Sequence, residues 1–176
     1  NDARREAQGR VATGSGRFTT SARLSDIAPL APGLSGAADL SLEADLEDTV
    51  WTYQANATAM EARTSATGTL TGSLEEASLT ASGQIVADTL SRFSTLAGRD
   101  LAGSGTATFS GRASLPLWAI SRDLDGSLQD ARLGITEIDA VLVGEAKVAA
   151  SASRDGDLIE NSSQTISSDA GRFAAS

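Results

Sequence analysis

The sequence predicts an all-β protein: one elongated, strongly curved, groove-like antiparallel sheet with one or two single-turn helices between repeated units. Three observations predict it. Apolar and polar residues alternate with period two over stretches longer than ordinary strands, which sends successive side chains to opposite faces of a sheet. Turn signals or changes of parity separate the alternating runs. The apolar parity is also rich in Ala and Gly, with 31 Ala among 176 residues and only 4% aromatic residues, too little bulk to fill the gap of about 10 Å between two packed sheets.

The runs follow in order. From Gly16 to Leu24 one parity carries Phe18, Ala22 and Leu24, and the other Arg17, Thr19, Ser21 and Arg23. Leu40, Leu42, Ala44 and Leu46 alternate with Asp39, Ser41, Glu43 and Asp45, and Trp51, Tyr53, Ala55, Ala57 and Ala59 with Thr52, Gln54, Asn56 and Thr58. Ala66, Gly68, Leu70, Gly72 and Leu74 form the next apolar face. Glu75-Glu76 then shifts the parity to Ala77, Leu79, Ala81, Gly83, Ile85 and Ala87, as a hairpin turn does. Ala107, Phe109, Gly111, Ala113 and Leu115 continue the series.

Beyond Pro116 and Trp118, Asp125-Gly126 predicts a turn, because tight hairpins need the positive φ that Asp-Gly supplies. Ala131, Leu133 and Ile135 then alternate with Arg132, Gly134 and Thr136. A slip near Glu137 hands the apolar parity to Ile138, Ala140, Leu142, Gly144, Ala146, Val148 and Ala150, which predicts a β-bulge and a bend. Asp155-Gly156 marks another turn, followed by a more polar strand through Ile159 and Ile166.

Two segments break the pattern. Ser25–Gly33 and Ser91–Gly98 each begin with an N-cap serine, carry apolar residues three apart and end on Pro or Gly, so each predicts one helical turn. A new strand follows each. The expected units are residues 16–90 and 91–170, with a third starting at 171, where Gly171-Arg172-Phe173 echoes Gly16-Arg17-Phe18. Repetition with open ends predicts a quasi-linear array, and we expect residues 1–176 to be an internal segment of a longer repeat protein.

Chemistry is bounded by what the chain lacks. It has no His and no Cys, so no catalytic relay through imidazole or thiol, no disulfide and no His- or Cys-ligated metal can be built from it. With 14 Lys+Arg against 23 Asp+Glu, the net charge is −9, which argues against a nucleic-acid partner. Ser121, Asp123, Asp125 and Gly126 match the start of a calcium loop, but Arg132 stands where its bidentate Glu belongs. Glu43, Asp45, Glu47 and Asp48 read as a solvated acidic face. Gly14-Ser15-Gly16 and Gly103-Ser104-Gly105 read as turns, and the sequons at Asn56 and Asn161 as chance matches in a Ser/Thr-rich chain. Trp51, Tyr53 and Trp118 read as core residues near strand ends. We expect no enzyme, no catalytic or metal site and no cofactor.

A space lined by small and branched apolar residues stays dry and accepts apolar guests. Acyl chains fit it, since burying a 16-carbon chain at roughly 0.8 kcal/mol per CH₂ is worth on the order of 10 kcal/mol. The expected lining is Phe18, Leu24, Leu40, Leu42, Leu46, Leu70, Leu79, Ile85, Phe109, Leu115, Leu133, Ile135, Leu142 and Val148.

The segment from Leu24-Ser25-Asp26-Ile27 into Leu34-Ser35-Gly36-Ala37, the segment Gly98-Arg99-Asp100-Leu101-Ala102-Gly103-Ser104-Gly105, and the strand Gly68-Thr69-Leu70-Thr71-Gly72-Ser73-Leu74 closed by Glu75-Glu76-Ala77 resemble repeats of the TamB family of AsmA-like proteins, over about Gly16 to Ala150. The resemblance implies a taco-like β-groove in a large periplasmic protein, anchored in the inner membrane of a Gram-negative bacterium. It implies phospholipid acyl chains as cargo between the membranes, support of outer-membrane assembly, and an Omp85-type outer-membrane barrel as partner of another part of the parent chain. It brings no catalytic residues. The competing expectation is a structural or adhesive β-rich repeat of a surface protein with a closed, guest-free core.

Overall fold

The computed structural model describes residues 3–12, 14–28, 35–72, 76–114, 119–155 and 158–175. They form a single antiparallel sheet of eleven strands, each paired with its neighbours in sequence. The strands are β1 (Ala3–Ala12), β2 (Ser15–Leu24), β3 (Ala38–Glu47), β4 (Val50–Ala59), β5 (Ala62–Thr71), β6 (Ser78–Ala87), β7 (Ala102–Ser114), β8 (Ala119–Arg132), β9 (Glu145–Asp155), β10 (Leu158–Ser168) and β11 (Gly171–Ala175). The sheet is curved and unclosed, with β1 and β11 at its two edges. The all-β, curved antiparallel architecture is therefore the one its alternation predicts.

Register explains why one face is predominantly apolar from β2 to β9. Directly opposed residues of antiparallel strands share a face, and one continuous row runs Phe18, Ala44, Tyr53, Gly68, Ala81, Gly111, Arg122, Ala152 and Ser162. The adjacent row on the opposite face runs Thr19, Glu43, Gln54, Thr67, Ser82, Ser110, Asp123, Ser151 and Ser163. A slip of one residue anywhere would exchange the two faces.

Glycines set how tightly the strands approach on the apolar face. A Cβ on Gly68 would lie 1.9 Å from the Thr80 carbonyl oxygen, and one on Gly83 would lie 2.1 Å from that of Ser65. Both clashes fall between β5 and β6, where the facing partners are Ala81 and Ala66. Large side chains lie over the vacated positions: the Tyr53 ring over Gly68 and the Phe109 ring over Gly83, each directly opposite its glycine. This cross-strand covering of glycine by an aromatic ring helps fix register.

The connections are asymmetric. Residues 25–37, 88–101 and 133–144 link β2 to β3, β6 to β7 and β8 to β9, all at one end of the sheet. In the second, a 3-10 turn, Leu90–Phe93, runs into one α-turn, α1 (Ser94–Ala97), which Gly98 ends with a left-handed φ of 65°. The helical turn expected at Ser91–Gly98 is present. Of the one expected at Ser25–Gly33, residues 29–33 lie outside the described residues.

Three expectations between 125 and 144 are corrected. Asp125-Gly126 is not a turn: both residues are mid-strand in β8, and Gly126 pairs with Ala107 on one side and Val148 on the other. The glycine serves close strand approach instead, because a Cβ there would come within 2.5 Å of the Thr106 carbonyl oxygen. The alternation at Ala131–Thr136 does not continue as a strand, since β8 ends at Arg132 and a second helical turn, α2 (Thr136–Asp139), follows. The bulge lies at Asp130 and not at Glu137. There the register shifts opposite Gly103, with φ of 50° at Asp130 and 91° at Gly103. The extra residue switches the parity so that Ala131, 3% exposed, turns onto the apolar face where Asp130 would otherwise stand.

That switch builds a small core at the end of the sheet that carries the long connections. Ala131, Leu142 and Ala146 are buried and pack with Leu90, Leu128, Leu133, Ile138 and Ile166. The Asp139 carboxylate accepts the Leu133 and Gly134 amides at 2.6 and 3.2 Å. The Ser168 hydroxyl donates to the Val141 carbonyl. These bonds satisfy the backbone of a connection that folds over β8–β10.

Candidate functional site

The apolar face is the candidate site. Of the predicted lining residues, Phe18 and Leu24 on β2, Leu40, Leu42 and Leu46 on β3, Leu70 on β5, Leu79 and Ile85 on β6, Phe109 on β7 and Val148 on β9 stand on this one face. Leu115 lies outside the described residues. Leu133, Ile135 and Leu142 are not on the strand surface: they belong to the connection around α2, where Leu142 is 1% exposed and Leu133 packs against it. A helical turn followed by an extended segment reads like two short alternating runs, so their apolar spacing misleads.

The face also holds residues the alternation did not single out as lining. Ile120, Leu124 and Leu128 of β8, Ile166 of β10 and Phe173 of β11 all register with it. The β8 set is readable as period two once Arg122 and Gly126 are accepted at apolar-parity positions.

Among the described residues the connection around α2 covers this face only at one end of β8–β10, and no second layer covers the rest. Phe18, Leu40, Leu70 and Leu79 are 37, 48, 38 and 40% exposed. A sheet normally buries its apolar face against another element, and contiguous exposed apolar surface marks a place where something binds. Toward the C-terminal half, Phe109, Leu124, Ala150 and Ala152 line an open trough of about 440 Å³, with Arg122 and Gln164 at its side.

The opposite face is polar and carries cross-strand ion pairs and hydroxyl pairs. Arg17 pairs with Asp45 at 2.6 Å and Arg23 with Asp39 at 2.5 Å, each directly across β2–β3. Hydroxyls pair across strands at Thr69–Thr80, Thr106–Ser127 and Ser151–Ser163. A larger hollow, about 1390 Å³, lies over β1–β4, but charged side chains such as Arg10, Arg17, Asp45 and Glu47 line it. Water fills such a cleft more readily than an apolar guest does. Exposed ion pairs of this kind contribute little stability.

Perturbed groups are few. The hydrogen bond from Arg92, together with its charge and a hydrogen bond from Thr89, holds the Glu61 carboxyl below its ordinary value. The Ala28 and Gly36 amides do the same for Asp26. Burial raises the Tyr53 phenol. These groups brace the turn at Glu61, the start of the β2–β3 connection and the Gly68 contact, and they do not converge on one point. Among the described residues no group of acidic side chains is placed to hold a metal ion.

Comparison of the chain with protein-family models, with curated proteins and with solved structures finds no match.

Proposed function

We propose that this sheet shields the acyl chains of phospholipids, as one stretch of a conduit between the inner and outer membranes of a Gram-negative envelope. One observation carries the reading. Large apolar side chains from β2 through β11 share a single face that no described element covers outside the end held by the α2 connection, while the opposite face carries the ion pairs and hydroxyl pairs. Leu, Ala and Gly supply an even, slippery surface without polar anchors along most of its length. Acyl chains lie along it while head groups remain in water. The resemblance of the repeats to TamB-like proteins supports the same reading and suggests a periplasmic setting, with a barrel partner reached through another part of the parent chain. A structural module with a closed core would need a covering layer over Leu40 and Leu79.

The test is solvent extraction and mass spectrometry of gently purified protein, beside Leu42→Asp and Phe109→Asp variants. Phospholipid should accompany the wild type and be lost from both variants. A lipid-free wild type would turn the reading toward a structural module. In the parent protein the same substitutions should reduce lipid supply to the outer membrane, and normal supply would count against the conduit.

A further inference from the structure

The apolar face is asymmetric in charge. Every Asp and Glu at a paired strand position with a described side chain lies on the polar face: Glu6, Asp39, Glu43, Asp45, Glu47, Asp123, Asp125 and Glu145. Yet among the described side chains two arginines, Arg122 on β8 and Arg154 on β9, stand on the apolar face. In a chain of net charge −9, this face carries cations and, among the described side chains at paired strand positions, no carboxylate.

Arg154 has a partner of its own. Arg122 makes no hydrogen bond or ion pair with any described residue, as is also true of Arg10, Arg112 and Lys147 on the polar face, whereas Arg17, Arg23, Arg63 and Arg92 each bind a carboxylate. The surroundings of Arg122 explain this. Its cross-strand partners are Gly111 and Ala152, which offer no side-chain acceptor and leave the space beside the guanidinium open. Two residues away along β8, on the same face, are Ile120 and Leu124. The side chain borders the trough floored by Phe109, Leu124, Ala150 and Ala152, whose lining also includes Asp123, a residue that alternation places on the opposite face.

We infer that Arg122 anchors the head group of a lipid whose chains lie on the apolar face, and that the preferred ligand is an acidic phospholipid with net negative charge, such as phosphatidylglycerol. This rests on the acyl-shielding reading and adds a head-group preference to it. A guanidinium presents a planar fork of donors that fits a phosphate through two parallel bonds. In a zwitterionic lipid the head group's own cation competes for the phosphate, so the net anion gains more from Arg122. Lysine preserves the charge and loses the fork.

The experiment incubates the protein with vesicles of equimolar phosphatidylglycerol and phosphatidylcholine, re-isolates it and counts bound lipid by mass spectrometry. Wild type should carry about tenfold more phosphatidylglycerol, the size of one charge-assisted interaction. Arg122→Gln should bring the two lipids close to parity, mainly by loss of phosphatidylglycerol, and Arg122→Lys should retain part of the preference. Because Arg122 is exposed, these variants leave the sheet intact, which circular dichroism checks. A preference that survives in Arg122→Gln overturns the anchor. Equal loading by the wild type also overturns it and leaves the shielding face standing; loading of neither lipid overturns both.

Discussion

The Tyr53 hydroxyl donates a hydrogen bond of 2.8 Å to the Thr80 carbonyl, reaching from β4 across Gly68 of β5 to β6. Three strands are thereby tied on the apolar face. The contact exists only because Gly68 has no side chain, since its Cβ would overlap both the Thr80 carbonyl oxygen and the Tyr53 hydroxyl.

Gly68→Ala should therefore destabilise the sheet by about 1–3 kcal/mol, the usual cost of overpacking, and Tyr53→Phe by about 1 kcal/mol, one hydrogen bond. Urea unfolding followed by circular dichroism measures both. Because the Gly68 clash includes backbone, Tyr53→Ala should not rescue Gly68→Ala. Rescue in the double variant would mean that the ring alone, and not the β5–β6 approach, requires the glycine.

Leu142 and Leu40 are both leucines of the predicted lining, and they should behave oppositely. Leu142, 1% exposed beneath the α2 connection, should cost about 2–5 kcal/mol on replacement by Ala, because a cavity is left behind. Leu40, 48% exposed on the apolar face, should cost under about 1 kcal/mol and lower the amount of bound phospholipid instead. Comparable destabilisation by the two variants would show that Leu40 is covered in solution.

What could be read from the sequence follows from what alternation encodes. On β3 and β6 each side chain takes one face or the other, so Leu40-Leu42-Leu46 and Leu79-Ile85 declare the strand and its face at once. On β8 the signal fails for physical reasons. Arg122 and Gly126 occupy apolar-face positions, and Asp125-Gly126 carries turn chemistry where the glycine instead permits close approach. The Asp130 bulge then changes parity with no residue-type signal, since nothing in Gln129-Asp130-Ala131 separates a bulge from a loop end. Leu142 entered the predicted lining because a helical turn leading into an extended segment spaces Ile138, Leu142 and Ala146 much as a slipped strand does. The absence of a covering layer was foreshadowed only indirectly, by small residues where a sandwich needs bulk.

The β4–β5 hairpin turns through Met60 and Glu61, both left-handed with φ of 53° and 64°. Neither residue is of the Asn, Asp or Gly type that such a two-residue turn favours, and a left-handed side-chain-bearing residue costs about 1–2 kcal/mol. Glu61 is held by its ion pair with Arg92, at 2.5 Å, which docks the 3-10 turn onto this hairpin. Met60 makes no such compensating contact among the described residues, so Met60→Asn should stabilise the protein by about 1 kcal/mol, read as a higher urea midpoint. Glu61→Gly relaxes the backbone too but releases Arg92, and should loosen residues 90–97 in hydrogen exchange. An unchanged midpoint in Met60→Asn would mean the turn is not left-handed at residue 60.

Asp26 gives the start of the β2–β3 connection an acid response. Its carboxylate oxygen accepts the Ala28 amide at 3.1 Å and the Gly36 amide at 3.0 Å, and these bonds lower its pKa from the ordinary 3.8. A carboxyl whose folded pKa is depressed contributes stability that is fully present above the unfolded value and is lost as pH falls through the folded one. The carboxyl resonance of Asp26 should therefore titrate below 3.8, and the Ala28 and Gly36 amide protons should shift upfield together at that same midpoint. Asp26→Asn keeps an acceptor oxygen and removes the titration, so the coordinated shift should vanish while both amides stay bonded at neutral pH. Titration of Asp26 at or above its ordinary value, or amide shifts that persist in Asp26→Asn, would assign the acid response to a different group.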